Sequence, residues 1–265
     1  MVKEHYKGPI KGAIYDMDEV ILDNNPTKDI PYSNLHQQAR LVALHEVATR
    51  HGLEELMGVT AKDNSEAFHR APVSTVSAAI WVVLHDHHLV PNNFDPFHPL
   101  ILEMLELKNT YYETLLVEQG KPIKGAPEFI SDFAAKFGIE TKNAISSNAT
   151  FSNIDTVLRV IDRKQYFPDS HIISVEQVTR YKPDPQGYDL AFQSLGLPNE
   201  DRRYVPVVED DPRGMLAARR AGMMVYAIAT QFPRAILEKV EAQPDLIVES
   251  YDELRDHFGL PPLPQ

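Results

Sequence analysis

The sequence predicts an α/β fold: a doubly wound, mostly parallel sheet interrupted by an inserted all-helical segment. Three observations carry that expectation. From residue 122 onward, short apolar runs alternate with helical patterns, the mark of a βαβ sheet. The stretch 24–121 lacks this alternation and reads as helices only. Near the N-terminus, the apolar run Gly12-Ala13-Ile14-Tyr15 stops at Asp16-Met17-Asp18. That is how a buried parallel strand delivers acids to the C-terminal edge of a sheet, where open α/β sheets keep their chemistry.

The first strand is expected over 12–16. Helices are then expected over 33–51, 63–69, 73–88 and 98–118, punctuated by Pro26, Pro31, Pro72, Pro91 and Pro96. The alternating region supplies strands at 143–146, 171–174, 204–208, 224–228 and 246–248. Its helices are read at 127–137, 151–161, 185–195, 213–221, 233–242 and 250–258. Pro127 and Pro212 fall in first helical turns, where the missing N–H costs nothing. Gly138, Gly196 and Gly222 sit where helix ends place glycine. The tail from Gly259 to Gln265 contains three prolines and ends the last helix. The hinges of the insert are expected at Leu22 to Pro26 and at Gly120 to Gly125.

Composition narrows the function. A chain of 265 residues has room for one large or two modest domains, each with its own core. A formal charge of −12 and a pI near 5.3 oppose a polyanion-binding surface, so nucleic acid is not an expected partner. The absence of cysteine excludes disulfides, thiolate nucleophiles and cysteine-ligated zinc. No charged-then-apolar leader and no apolar stretch near the ~20 residues of a membrane span is apparent. A soluble, cytoplasmic protein without membrane partners, monomeric or homodimeric, is therefore expected.

An Asp-x-Asp pair alone also serves loops and helix caps. Three further segments follow it in order: Ser146-Ser147-Asn148 after Asn143-Ala144-Ile145, Lys182-Pro183-Asp184-Pro185, and Val207-Val208-Glu209-Asp210-Asp211-Pro212. Together the four segments resemble the haloacid dehalogenase superfamily, specifically its sugar-phosphate phosphatase and β-phosphoglucomutase branch. Gly214 to Gly222 also fits the helix and glycine that follow the last motif in that family. The likeness covers residues 11–23 and 122–250, about half of the chain.

The resemblance implies a Rossmann-like catalytic core over 1–23 and 122–265 and a helical cap over 24–121, placed to close over the strand tips. It implies Asp16 as the nucleophile, attacking phosphorus to form an aspartyl-phosphate. Asp18 would then protonate the leaving oxygen and later activate water. Dehalogenases of the superfamily lack that second aspartate, so its presence favours phosphoryl transfer. Ser146 would hydrogen-bond a phosphoryl oxygen, with Ser147 adjacent and Asn148 an added donor. Lys182 would neutralise charge on the phosphoryl group and on Asp16. Hard oxygen ligands beside a phosphate suit Mg²⁺, and the expected ligands are Asp16, the Asp18 backbone carbonyl and Asp210, with Glu209 acting directly or through water. Asp211 reads as a helix cap before Pro212.

Glu19 departs from the pattern, since the family usually has glycine there, and it adds bulk and charge beside the nucleophile. Within the insert, His36, Thr60, Lys62, His69 and Arg70 are candidates for facing substrate. The segment Gly58 to Lys62 resembles the β-phosphoglucomutase loop that carries a phosphate-binding arginine, but that position is Ala61, with Lys62 beside it. A lysine replaces an arginine as a point charge, not bidentately. His85-Asp86-His87-His88 is read as a helix surface rather than a metal cluster, and Val76 to Leu84 with Trp81, and Tyr111-Tyr112, as packing. The expected activity is Mg²⁺-dependent hydrolysis of a small phosphorylated metabolite. The alternatives are a β-phosphoglucomutase-like sugar phosphomutase and a weakly active phosphate-binding or regulatory protein.

Overall fold

In the computed structural model, which describes residues 6–25, 34–72 and 75–263, six strands form a parallel sheet. The strands of the chain are β1 (Ala13–Tyr15), β2 (Leu22–Asp23), β3 (Lys121–Pro122), β4 (Asn143–Ser146), β5 (Ile172–Ile173), β6 (Pro206–Glu209), β7 (Met224–Ile228) and β8 (Leu246–Val248). The large sheet has the order β5-β4-β1-β6-β7-β8, and every neighbouring pair in it is parallel. β1 is central, and the chain lays β4 and β5 on one side of it before crossing to β6, β7 and β8. That reversal makes the C-terminal end of β1 a topological switch point, where open α/β sheets form their ligand crevice. β1, β4 and β6 are buried throughout, which is why they read as continuous apolar runs rather than alternating ones.

The chain divides into two compact units, one of residues 1–23 with 121–265 and one of residues 24–120. In the second unit the helices are α1 (Leu35–His51), α2 (Ala61–Arg70), α3 (Val76–Asp86) and α4 (Pro99–Gln119). Leu44, Val47, Ala67, Ile80, Val83, Ile101 and Met104 bury into one apolar core, each helix giving at least one residue. α3 contains the whole apolar stretch from Val76 to Leu84, and Trp81 packs at the edge of that core. Tyr112 is fully buried and its hydroxyl donates to Asn24 Oδ1 at 2.8 Å. α2 begins two residues before the expected 63, because Thr60 and Asp63 form a reciprocal capping box at its start. Pro26, Pro31, residue 33 of the first expected helix, residues 73–74 of the third, Pro264 and Gln265 lie outside the described residues, as does the side chain of His69.

The first unit carries α5 (Ala126–Phe137), α6 (Phe151–Val160), α7 (Gln186–Ser194), α8 (Pro212–Arg220), α9 (Arg234–Leu237) and α10 (Tyr251–His257). Thr150, Asp211 and Ser250 cap α6, α8 and α10 by accepting backbone N–H groups. Gly138 and Gly222 follow α5 and α8 with φ of 64° and 79°, the left-handed conformation that ends helices at least cost to glycine. The expected helix over 233–242 is cut short at Leu237. The Gln243 side-chain amide donates to the Glu238 and Val240 carbonyls at 3.0 and 2.8 Å, taking acceptors that a continuing helix would have used. The strand expected over 204–208 begins at Pro206 instead, because residues Asn199–Tyr204 coil into a 3-10 turn. Strand β2 pairs antiparallel with β3, Leu22 opposite Pro122 and Asp23 opposite Lys121, a short ladder with too few residues to leave a sequence pattern. No helix among the described residues is long and apolar enough to cross a membrane.

Candidate active site

Strand register fixes the site. Tyr15 pairs with Ile145 on one side and Val208 on the other, so the next residue on each strand, Asp16, Ser146 and Glu209, stands abreast at the sheet's C-terminal edge. The turn that follows Asp16 is tied down on several sides. The Met17 carbonyl accepts from the backbone N–H groups of Ile21 and Leu22 at 2.9 and 3.1 Å. Thr230 Oγ1 donates to the Glu19 carbonyl at 2.5 Å, and the buried Tyr251 hydroxyl donates to the Val20 carbonyl at 3.0 Å. Glu19 has φ of 55°. That is a left-handed backbone, which explains in physical terms why glycine suits this position better than a residue with a side chain.

Lys182 enters from the loop before α7. Its ammonium donates to Asp16 Oδ1 and to Glu209 Oε1, both at 2.6 Å, and its side chain is only 11% exposed. Glu209 is wholly buried and saturated with donors. Oε1 also accepts from the Tyr188 hydroxyl at 2.7 Å, while Oε2 accepts from the backbone N–H groups of Asp210 and Asp211 at 2.9 and 3.0 Å. An ionised carboxylate has about four acceptor sites, and here protein donors occupy four. Gly214, on the first turn of α8, makes that arrangement possible: a Cβ there would lie 1.6 Å from Glu209 Oε1.

Charge in this crevice is unbalanced. Asp16, Glu209 and Asp210 are buried, with carboxylate oxygens lying within 4.8 Å of one another, and Lys182 is the cation among them. Burial pushes the Asp16 carboxyl up to about 8; Lys182 pulls against this, and Glu209 and Asp18 reinforce it. Burial, then Glu209, Asp16 and Asp211, hold the Asp210 carboxyl well above its ordinary value. Burial on its own would lower the Lys182 ammonium, but Asp16 and Glu209 overcome it and hold Lys182 well above its usual range. One ammonium cannot neutralise three buried carboxylates. Hard oxygen donors with surplus negative charge fit a small divalent cation, and among the described residues this is the one group of three or more His, Asp and Glu side chains close enough to share an ion.

The remaining candidates divide by location. Ser146 is 2% exposed at the edge of β4, and its hydroxyl abuts Gly187, where a Cβ would come within 2.7 Å. Ser147 is buried and its hydroxyl accepts from the Ala149 N–H at 3.2 Å, a local turn contact. Asn148 is exposed. Asp211 caps α8 and pairs with Arg213 at 2.6 Å, which outweighs its burial and keeps its carboxyl below the ordinary value. Thr60 and Lys62 belong to the helical unit, where Thr60 bonds Asp63 in the α2 cap and Lys62 pairs with Glu66 at 3.7 Å. Arg70 pairs with Asp86, and His85 stacks on Trp81, so the histidine-rich stretch forms local surface contacts. Tyr188, Gly187 and Gly214 were not legible as site residues. A tyrosine in an apolar helical pattern and a glycine in a first turn read as packing until the carboxylate between them is seen.

Residues 13–228 match the haloacid dehalogenase-like hydrolase family, more than half of the chain. A validoxylamine A 7'-phosphate phosphatase of Streptomyces hygroscopicus subsp. limoneus is 35% identical over 89 residues, 33% of this chain and 38% of that protein. Glycerol-1-phosphate phosphohydrolase 1 of Saccharomyces cerevisiae is 34% identical over 99 residues, 36% of this chain and 37% of that protein. The chain thus spans less than two fifths of the length of these curated relatives. The crystal structure of CbbY from Rhodobacter sphaeroides in complex with phosphate has a similar fold, with a TM-score of 0.66 over 92% of this chain and 96% of that one at 20% identity. With the sheet order, the acidic strand ends and the family match in agreement, the chain belongs to the haloacid dehalogenase-like hydrolases.

Proposed function

We propose that this protein hydrolyses a small phosphorylated metabolite through an aspartyl-phosphate at Asp16, with a Mg²⁺ ion bound beside it. The observation that carries the reading is the shared lysine, with the Lys182 ammonium 2.6 Å from both Asp16 and Glu209 at the end of the central strand. Support comes also from two curated relatives, one named as a validoxylamine A 7'-phosphate phosphatase and the other as a glycerol-1-phosphate phosphohydrolase.

In this reading Asp16 uses a carboxylate oxygen to attack phosphorus while the bond to the ester oxygen breaks. Asp18 gives its proton to the departing alcohol. It then takes a proton from water, whose oxygen attacks phosphorus and releases Asp16 and inorganic phosphate. Lys182 offsets charge on Asp16 and on the phosphoryl oxygens, and Ser146 donates to one of those oxygens. Asp16, Asp210 and the Asp18 backbone carbonyl would hold the ion, which supplies positive charge where the phosphoryl group carries negative charge. Glu209, its acceptor sites already filled, holds Lys182 and the start of α8 in place. The core reading covers 1–23 and 122–265, and the helical segment 24–121 is assigned to substrate selection.

The test is release of phosphate from a panel of sugar and polyol phosphates, with Mg²⁺ and then with excess chelator, scored also for isomerised product. Release that needs Mg²⁺ and vanishes in Asp16→Asn supports the phosphatase. Isomerisation of a hexose 1-phosphate with little release replaces it with the phosphomutase. Neither activity in folded protein replaces both with a binding role.

A further inference from the structure

Tyr188 occupies an unusual place for a side chain that the proposed chemistry does not use. It is fully buried on α7, its ring lies 4.9 Å beneath the Lys182 ammonium, and its hydroxyl donates to Glu209 Oε1 at 2.7 Å. The same oxygen accepts from Lys182 at 2.6 Å. Lys182 therefore rests on two supports, a carboxylate in front and an aromatic face below, and Tyr188 contributes to both. The carboxylate's position in turn depends on residue 214, because the space it fills exists only while that residue lacks a Cβ. Glu209 Oε2 is meanwhile engaged by two backbone N–H groups, so the carboxylate's remaining rotation is governed by what binds Oε1.

We propose that Tyr188 is a positioning residue for this site: its hydroxyl, acting with the void left by Gly214, fixes Glu209 so that Glu209 in turn aims the Lys182 ammonium at Asp16. This rests on the phosphatase reading given above. Without the hydroxyl, Oε1 keeps only its bond to the ammonium, and the Glu209–Lys182 pair can turn together away from Asp16. Hydrogen bonds to charged groups are the stronger kind, and displacing a group that acts on developing charge is felt mainly in the chemical step.

Two substitutions reach the same displacement by independent routes. Tyr188→Phe removes the hydroxyl and keeps the ring under Lys182; Gly214→Ala adds a methyl where the carboxylate sits. Each is expected to lower kcat for the best substrate of the phosphate panel by about tenfold to a hundredfold, while KM changes by less than about threefold. The crystal structure of Tyr188→Phe is expected to show Lys182 Nζ withdrawn from hydrogen-bonding distance of Asp16. A Tyr188→Phe protein with a lowered Tm but wild-type kcat would assign Tyr188 to packing alone and overturn the proposal. If the wild-type protein releases phosphate from nothing in the panel, the phosphatase reading fails, and the Tyr188→Phe structure then decides by itself. An unmoved Lys182 overturns the positioning role; a displaced Lys182 sustains it.

Discussion

Asp16 and Asp18 lie two residues apart in different environments, and the proposed mechanism gives them different tasks. Asp16, the proposed nucleophile, faces Lys182 at 2.6 Å, while Asp18, the proposed acid and base, lies on the tied-down turn that follows. Asp16→Asn is expected to abolish phosphate release while leaving the far-ultraviolet circular dichroism of the protein unchanged. Asp18→Asn, which removes the proposed general acid and base, is expected to lower kcat by about 10²–10⁴. The burial that raises Asp16 to about 8 also has a stability signature. A carboxyl with a folded-state value above its ordinary 3.8 contributes stability that is fully present below that ordinary value and is lost as pH rises through about 8. Chelator-treated protein is therefore expected to melt at progressively lower temperature as pH rises across that interval, with Asp210 acting in the same direction. Thermal scans of Asp16→Asn would show a shallower slope, and an unchanged slope would refute the assignment. Asp16, Ser146, Lys182, Glu209 and Asp210 were legible in the sequence because four of them end or follow apolar strands and the fifth opens a proline-braced turn. Tyr188 was not, since nothing in a helical pattern reveals that a buried hydroxyl meets a carboxylate 21 positions away.

The elements deliver these residues by local rules that sequence states well at some ends and poorly at others. Helix α6 starts directly after the Ser146-Ser147-Asn148 turn, and Thr150 caps it by accepting the Asn153 N–H at 3.3 Å. Thr150→Ala is expected to cost about 1 kcal/mol, read as a lowered urea midpoint at unchanged m-value. Gly222, with φ of 79°, terminates α8, and Gly222→Ala is expected to cost a similar ~1 kcal/mol for the strained backbone alone. The central strands of the first unit were readable as continuous apolar runs, and most of its helices by the regular period of their buried apolar faces. Helix α9 misled for the opposite reason: its residues favour helix, and a glutamine side chain from beyond its end competes for the carbonyls. The two-residue ladder of β2 and β3 had no period to read.

For the whole molecule, a net charge of −12 goes with a site that is itself acidic, so the phosphorylated substrate proposed above would have to be met by positive charge supplied locally. Lys182 supplies part of it, and a divalent ion held by Asp16 and Asp210 supplies the rest in this account. Such an ion binds the folded chain alone, and at about a hundred times its dissociation constant it is expected to stabilise the protein by about 2.7 kcal/mol. Mg²⁺ is therefore expected to raise the Tm of wild-type protein. In Asp210→Asn the Mg²⁺ increment is expected to vanish. Equal increments in both proteins would move the ion elsewhere. The most direct test of the central claim is an acid quench during turnover of the best phosphate ester, followed by peptide mass spectrometry of the segment containing Asp16. A phosphoryl group is expected on Asp16 and none on the Asp16→Asn protein; steady turnover by Asp16→Asn, or a phosphoryl group on another residue, would contradict an aspartyl-phosphate at Asp16.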